Sequence, residues 1–90
     1  MIQELTLDAP VRLDPDFLEF VGSLDGKRRV FRVEAGVFRE LLQVRRIGEA
    51  SMNNLFMADT EHFLFVAARK LAEQGPGSVL IQLTLADLLR

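Results

Sequence analysis

The stretch from Ser51 to Gln74, SMNNLFMADTEHFLFVAARKLAEQ, contains neither glycine nor proline and is rich in strong helix formers. Those two residues are the ones that most readily end a helix. Their absence predicts one long helix over 51–74, opened by Ser51 as N-cap and closed by Gly75-Pro76-Gly77. At about 24 residues such a helix would be ~36 Å long, more than a small domain needs to cover its own sheet. Asp59-Thr60 offers a second capping signal, so a kink or break into two helices there is the alternative reading. Met52, Phe56, Phe63, Leu64, Ala67 and Leu71 recur at helical spacing and form the apolar side that a sheet must cover.

Two β-prone runs, Phe17 to Leu24 and Lys27 to Val33, flank Asp25-Gly26. Asp-Gly in that setting is a strong hairpin signal, because a type I′ turn needs positive φ at both central positions. A two-residue loop pairs Leu24 with Lys27, Val21 with Val30, Phe20 with Phe31, Glu19 with Arg32 and Leu18 with Val33. Leu18, Phe20, Leu24, Phe31 and Val33 then share the core face. Glu19, Ser23, Arg28, Arg32 and Glu34 share the other with Val21 and Val30. The opposed charges of Glu19 and Arg32 favour this register over a one-residue slip.

Ahead of the hairpin, Ile2, Leu5 and Leu7 suggest an N-terminal edge strand over 2–7 or a loosely attached arm over 1–16. Asp14-Pro15-Asp16 marks a turn. After the hairpin, Val37, Phe38, Leu41, Leu42 and Val44 predict an amphipathic helix over 37–47, with Gly48 as its stop. Ser78 to Leu85 reads as an inner strand over 78–85, and Asp87 turns the chain out of it. The expected architecture is therefore an α+β two-layer sandwich spanning residues 1–90. Its small antiparallel or mixed sheet, hairpin 17–33 plus the C-terminal strand, packs against helices 37–47 and 51–74.

Three places in this pattern resemble a family of small bacterial proteins of about ninety residues known only as a domain of unknown function. They are the hairpin VGSLDGKRRVFRV leading into a helix, the spacing of Phe56, Phe63 and Ala67 before Arg69-Lys70, and the closing β segment ending in Ala86-Asp87-Leu88. The chain departs from the family at the first helix start, where Glu34-Ala35-Gly36 replaces a common Ser. The resemblance implies a β-β-α-α-β order and brings no activity, ligand or catalytic residue with it.

The chain has 90 residues, 11 basic against 13 acidic, for a formal charge of −2, so the molecule as a whole has no long-range attraction for polyanions. Cysteine is absent, which excludes disulfides, thiol nucleophiles and cysteine metal sites and suits a reducing compartment. No signal peptide and no apolar run long enough to span a bilayer can be read, so the expected location is the cytoplasm, with no membrane partner.

Residues that could carry function are few. His62, the only histidine, shares a polar stripe with Arg69 and Glu73, and its bland reading is a solvated surface side chain. Asp8, Asp14, Asp16 and Asp25 sit beside Pro or Gly or near them, where Asp shapes turns. Neither a catalytic set, a cofactor site nor a metal site is expected, and an enzyme is not the favoured reading. Arg28 and Arg32 on the hairpin, with Arg39, Arg45 and Arg46 on the first helix, form a candidate nucleic-acid patch, but no exposed aromatic is interleaved for base stacking. On the long helix, Ala58, Glu61, Phe65, Ala68 and Ala72 follow a 3-4-3-4 spacing that makes a second seam opposite the core side. Small residues around one large ring suit close helix pairing, so the leading expectation is an interaction or structural module that self-associates as a homodimer or binds another protein. A nucleic-acid-binding accessory protein is the alternative.

Overall fold

Asp25 and Gly26 both take positive φ, 52° and 77°, and close a hairpin between β3 (Phe17–Leu24) and β4 (Lys27–Glu34). Its register is the expected one throughout, from Leu24 opposite Lys27 to Leu18 opposite Val33. The computed structural model describes residues 5–8, 10–74, 77 and 80–89. Within them the chain runs β1 (Thr6–Leu7), β2 (Arg12–Asp14), β3, β4, α1 (Ala35–Leu42), α2 (Glu49–Ala58), α3 (Thr60–Gln74), β5 (Leu80–Leu83) and α4 (Leu85–Leu89).

The N-terminal segment joins the sheet as β1 and β2, which pair antiparallel with successive parts of β3. Three steps along β3 lead from Gly22 to Glu19, whereas five steps lead from Leu7, opposite Gly22, to Arg12, opposite Glu19. Two extra residues are therefore taken up around Pro10, whose nitrogen has no hydrogen to give to a ladder. β2 returns into β3 through Pro15-Asp16, where the Asp16 amide donates to Asp14 Oδ1 at 3.0 Å. Of the expected strand 2–7, residues 2–4 lie outside the described residues, as do 75, 76, 78 and 79 around the Gly-Pro-Gly turn and the start of the expected strand 78–85.

β5 pairs parallel with β4, Phe31 opposite Ile81 and Val33 opposite Leu83, so the five-stranded sheet is mixed, with β3 and β4 at its centre. A parallel neighbour needs a long crossover, and the helices α1 to α3 supply it. They cover one face of the sheet, giving the α+β two-layer arrangement. Leu18, Phe20, Phe31, Val33, Ile81 and Leu83 from the sheet are buried against Phe38, Met52, Phe56, Phe63, Val66, Ala67 and Leu88 from the helices.

Five phenylalanines thread this core as a chain of rings. Centroids are 5.3 Å apart for Phe31 and Phe20, 4.9 Å for Phe20 and Phe56, 5.1 Å for Phe56 and Phe63, and 6.0 Å for Phe63 and Phe38. The line runs from β4 through β3, α2 and α3 to α1. Aromatic pairs at such spacing add about 0.5–1.5 kcal/mol each beyond their area burial.

The helix limits differ from those expected. Helix 51–74 is broken: Asp59, at φ −137° and ψ 35°, leaves the helical region and separates α2 from α3. The Thr60 hydroxyl donates back to Phe56 O at 2.9 Å, and Asp59 O accepts the amides of His62 and Phe63 at 3.1 and 3.2 Å, which starts a new helix. Ser51 is not the cap either. Gly48 caps α2 in extended conformation, and Met52 N donates to its carbonyl at 3.1 Å.

Helix 37–47 is likewise shorter and earlier, Ala35–Leu42. Gln43 adopts the left-handed conformation (φ 56°, ψ 48°) and ends it, with Val44 N donating to Arg39 O at 3.0 Å. Glu34 provides no side-chain cap; the Ala35 amide instead donates to Asp16 O at 2.8 Å, so the Pro15-Asp16 turn satisfies the start of α1. At the C-terminal end, Thr84 and Asp87 form a reciprocal capping box, Thr84 N to Asp87 Oδ2 at 2.8 Å and Asp87 N to Thr84 Oγ1 at 3.3 Å. Asp87 thus sits inside a new helix, α4, instead of turning out a tail.

Candidate functional site

Alternation along β2, β3 and β4 brings Arg12, Glu19 and Arg32 into one row on the helix-free face of the sheet. Glu19 is only 8% exposed there, because two guanidinium groups fold over it. Arg12 Nη1 donates to Oε1 at 2.9 Å, and Arg32 donates to Oε2 through Nε at 2.8 Å and Nη2 at 2.6 Å. Both arginines also lie over the Phe17 ring, Arg32 at 4.2 Å and Arg12 at 5.4 Å from its centroid. A carboxylate this buried is tolerable only when its charge and lone pairs are matched, and here they are. The row closes part of the open sheet face with polar contacts, which leaves Glu19 committed to its arginines.

The arginines expected to form one patch are divided between two places. Arg28 pairs with Asp8 at 2.6 Å and Arg32 with Glu19, both on the open sheet face. Arg39 belongs to α1 and Arg45 and Arg46 to the connection that follows it; the hairpin half of the patch is already paired with carboxylates, while the helix half makes no ion pair among the described residues. Strand alternation is the reason: it delivers Arg28 and Arg32 to the face where Asp8 and Glu19 stand.

His62 is not a solvated surface residue. Its Nε2 donates to Leu88 O at 2.9 Å, since a carbonyl can only accept, and this fastens α3 to α4. A second tie joins the same helices, Lys70 Nζ to Asp87 Oδ2 at 2.5 Å, with the Thr84 hydroxyl donating to that oxygen at 2.9 Å. Burial acts to raise the Asp87 pKa, but the hydrogen bonds from Lys70 and Thr84 outweigh it and hold the carboxyl below its ordinary value. Val66, Arg69, Lys70, Glu73 and Asp87 line a shallow cleft over this junction. Of its polar groups, Lys70 and Asp87 are spent on joining the helices. Among the described residues no group of three His, Cys, Asp or Glu is placed to hold a metal ion. Nor, among the described residues, is any helix long and apolar enough to cross a membrane.

No family model, curated protein or solved structure matches this chain.

The break at Asp59 changes the expected seam. Ala58 ends α2, whereas Glu61, Phe65, Ala68 and Ala72 remain on α3, so the strip no longer runs along one helix axis. Phe65 is 48% exposed, Glu61 and Ala72 are exposed and Ala68 is partly buried against the core. Arg69 lies 5.8 Å from the Phe65 centroid and leaves much of the ring open to solvent. Phe65 stands apart from the five-ring core, and Phe17 is shielded by its two arginines.

Proposed function

We propose that this protein is a non-enzymatic interaction module that self-associates through the outer side of α3, with Phe65 as the anchor and Glu61, Ala68 and Ala72 around it. The exposure of the Phe65 ring carries this reading. A phenylalanine held half in water by a helix whose opposite side is firmly packed gains from being covered, and alanines beside it let a second helix approach closely. A second copy fits because an isologous contact needs only one strip that complements itself. Glu61 and Arg69 lie four residues before and after Phe65 and carry opposite charges, so an antiparallel pairing of two α3 helices centred on Phe65 sets each Glu61 toward Arg69 of the other copy.

The contact is expected to be weak. α3 has 15 residues and is thus ~22 Å long. One strip of that length falls short of the roughly 800 Å² per partner of a standard interface. Sedimentation velocity over a concentration series tests the reading: the wild type is expected to shift from monomer to dimer, and Phe65→Glu to remain monomeric. A wild type that stays monomeric at the highest concentration, or a variant that dimerises equally well, would overturn it. The alternative of nucleic-acid binding has less support, because Arg28 and Arg32 are each engaged by a carboxylate.

A further inference from the structure

The connection between α1 and α2 carries the other concentration of exposed apolar and basic side chains. Leu41 and Ile47 pack against the core, and the five residues between them, Leu42 to Arg46, are all exposed. Leu42 and Val44 are each 43% exposed. The left-handed Gln43 and the bond from Val44 N to Arg39 O hold the start of this projection in a defined turn. Arg12, Arg28, Arg32 and Lys70 each contact a carboxylate, whereas the side chains of Arg39, Arg45 and Arg46 make no ion pair among the described residues. The flanking acids are Glu40 and Glu49, and the run Leu41 to Gly48 contains none.

We infer that this projection docks the protein onto an anionic bilayer surface, with Leu42 and Val44 entering the interface and Arg39, Arg45 and Arg46 engaging the lipid head groups. Aliphatic side chains gain by leaving water at the head-group boundary. Arginine can lay its stem along the same boundary while its guanidinium stays with phosphate or carboxylate. A nucleic acid would use the arginines but offers Leu42 and Val44 no apolar counterpart, and the run has no aromatic side chain on which a base could stack. A bilayer uses both kinds of residue. The expectation of no membrane partner follows from the lack of a spanning segment, which a peripheral contact does not need. With a formal charge of −2 on the whole chain, binding must come from this patch and must weaken with salt.

Flotation of the full chain with phosphatidylserine-rich vesicles, and with vesicles of phosphatidylcholine alone, tests the assignment. Binding is expected only to the anionic vesicles and is lost at high salt. Each arginine at such a surface is worth roughly five-fold in affinity, so Arg45→Gln with Arg46→Gln should weaken binding by about 25-fold while leaving the far-UV circular dichroism unchanged. The chain contains no Trp, so Val44→Trp provides a reporter whose emission should shift to the blue on anionic vesicles alone. Failure to float with anionic vesicles would overturn the inference. So would binding unaffected by the double substitution, or unshifted emission from vesicle-bound Val44→Trp protein. Salt-sensitive binding to DNA or RNA without vesicle binding would reassign the patch to a phosphate backbone.

Discussion

Replacing Asp87 by Asn isolates the charge at the junction of α3 and α4 while keeping the side chain's shape. In the wild type Asp87 Oδ2 accepts from Lys70 Nζ at 2.5 Å, Thr84 N at 2.8 Å and the Thr84 hydroxyl at 2.9 Å. Asn retains an oxygen for the Thr84 amide, so most of the cap, worth about 1 kcal/mol, survives. What is lost is the charge-assisted bond to Lys70, worth about 1.5–3 kcal/mol. The side chains are 11% exposed for Asp87 and 17% for Lys70, so the interaction is screened little by water. The Lys70 ammonium can still reach solvent once released, which keeps the loss below the ~3–5 kcal/mol of a charge stranded in the interior. Asp87→Asn should therefore cost about 2–3 kcal/mol. That is a large share of the roughly 5–13 kcal/mol expected for a domain of this length.

The same substitution carries a pH signature. Burial raises the Asp87 pKa and the bonds from Lys70 and Thr84 lower it further than burial raises it, so the folded value lies below the unfolded one. An acid depressed in this way stabilises the fold fully above its unfolded pKa of about 3.9, and the contribution is lost as pH falls through the folded value. Urea unfolding followed by far-UV circular dichroism should show the full gap between wild type and Asp87→Asn near neutral pH. The gap should narrow progressively below about pH 4. A neutral-pH gap under about 0.5 kcal/mol, or one of the same size in acid, would refute the argument, because then neither the ion pair nor its titration stabilises the junction.

Two further substitutions check the backbone account. Gln43→Gly should raise stability by up to about 1 kcal/mol in the same urea assay, because a left-handed helix end suits glycine and Gln43 holds that conformation at φ 56°; a loss would show that the Gln43 side chain matters more than its backbone. Gly22→Ala should cost about 1–3 kcal/mol, since a methyl group there runs into the Leu5 side chain and presses on Phe31 Cε2 at 3.1 Å; an unchanged stability would mean that Leu5 is not held against the sheet.

The hairpin was legible because its signals agree. Asp25-Gly26 specifies the turn, the Phe and Val alternation specifies the faces, and Glu19 opposite Arg32 specifies the register. Sequence also showed which helical residues belong to the core, Met52, Phe56, Phe63 and Ala67 among them, because that depends on period and survives a change of boundary. The helix ends were not legible in the same way. α1 starts on a carbonyl from Asp16, supplied through tertiary structure, and stops at a non-glycine residue in the left-handed region, which local propensity disfavours. The acceptors of Arg12 and His62 were hidden for a related reason. Glu19 lies across a strand register that first requires β2 to be a strand, and Leu88 O is brought to α3 only by the parallel return of β5. The Thr84-to-Asp87 capping box could have been read directly, as a Thr followed three residues later by an acid.

The break at Asp59 has a geometric consequence that also bears on the position of Phe65. The molecule measures 38 × 25 × 22 Å, so an unbroken helix of ~36 Å could lie only along its longest axis. Divided at Asp59, the same residues serve two parts of the sheet, α2 against β2 and β3, and α3 against β5 and α4. Phe56 and Phe63 meet across the break at 5.1 Å, so the aromatic line continues where the backbone hydrogen bonding is interrupted. Sheet on one side and α4 near its end account for Phe63, Val66 and Ala67, His62 and Lys70, but neither layer covers Phe65. Burying that ring within the monomer would require another layer over α3. Self-association would provide one by setting a second α3 against it, without any change to the core that holds the first in place.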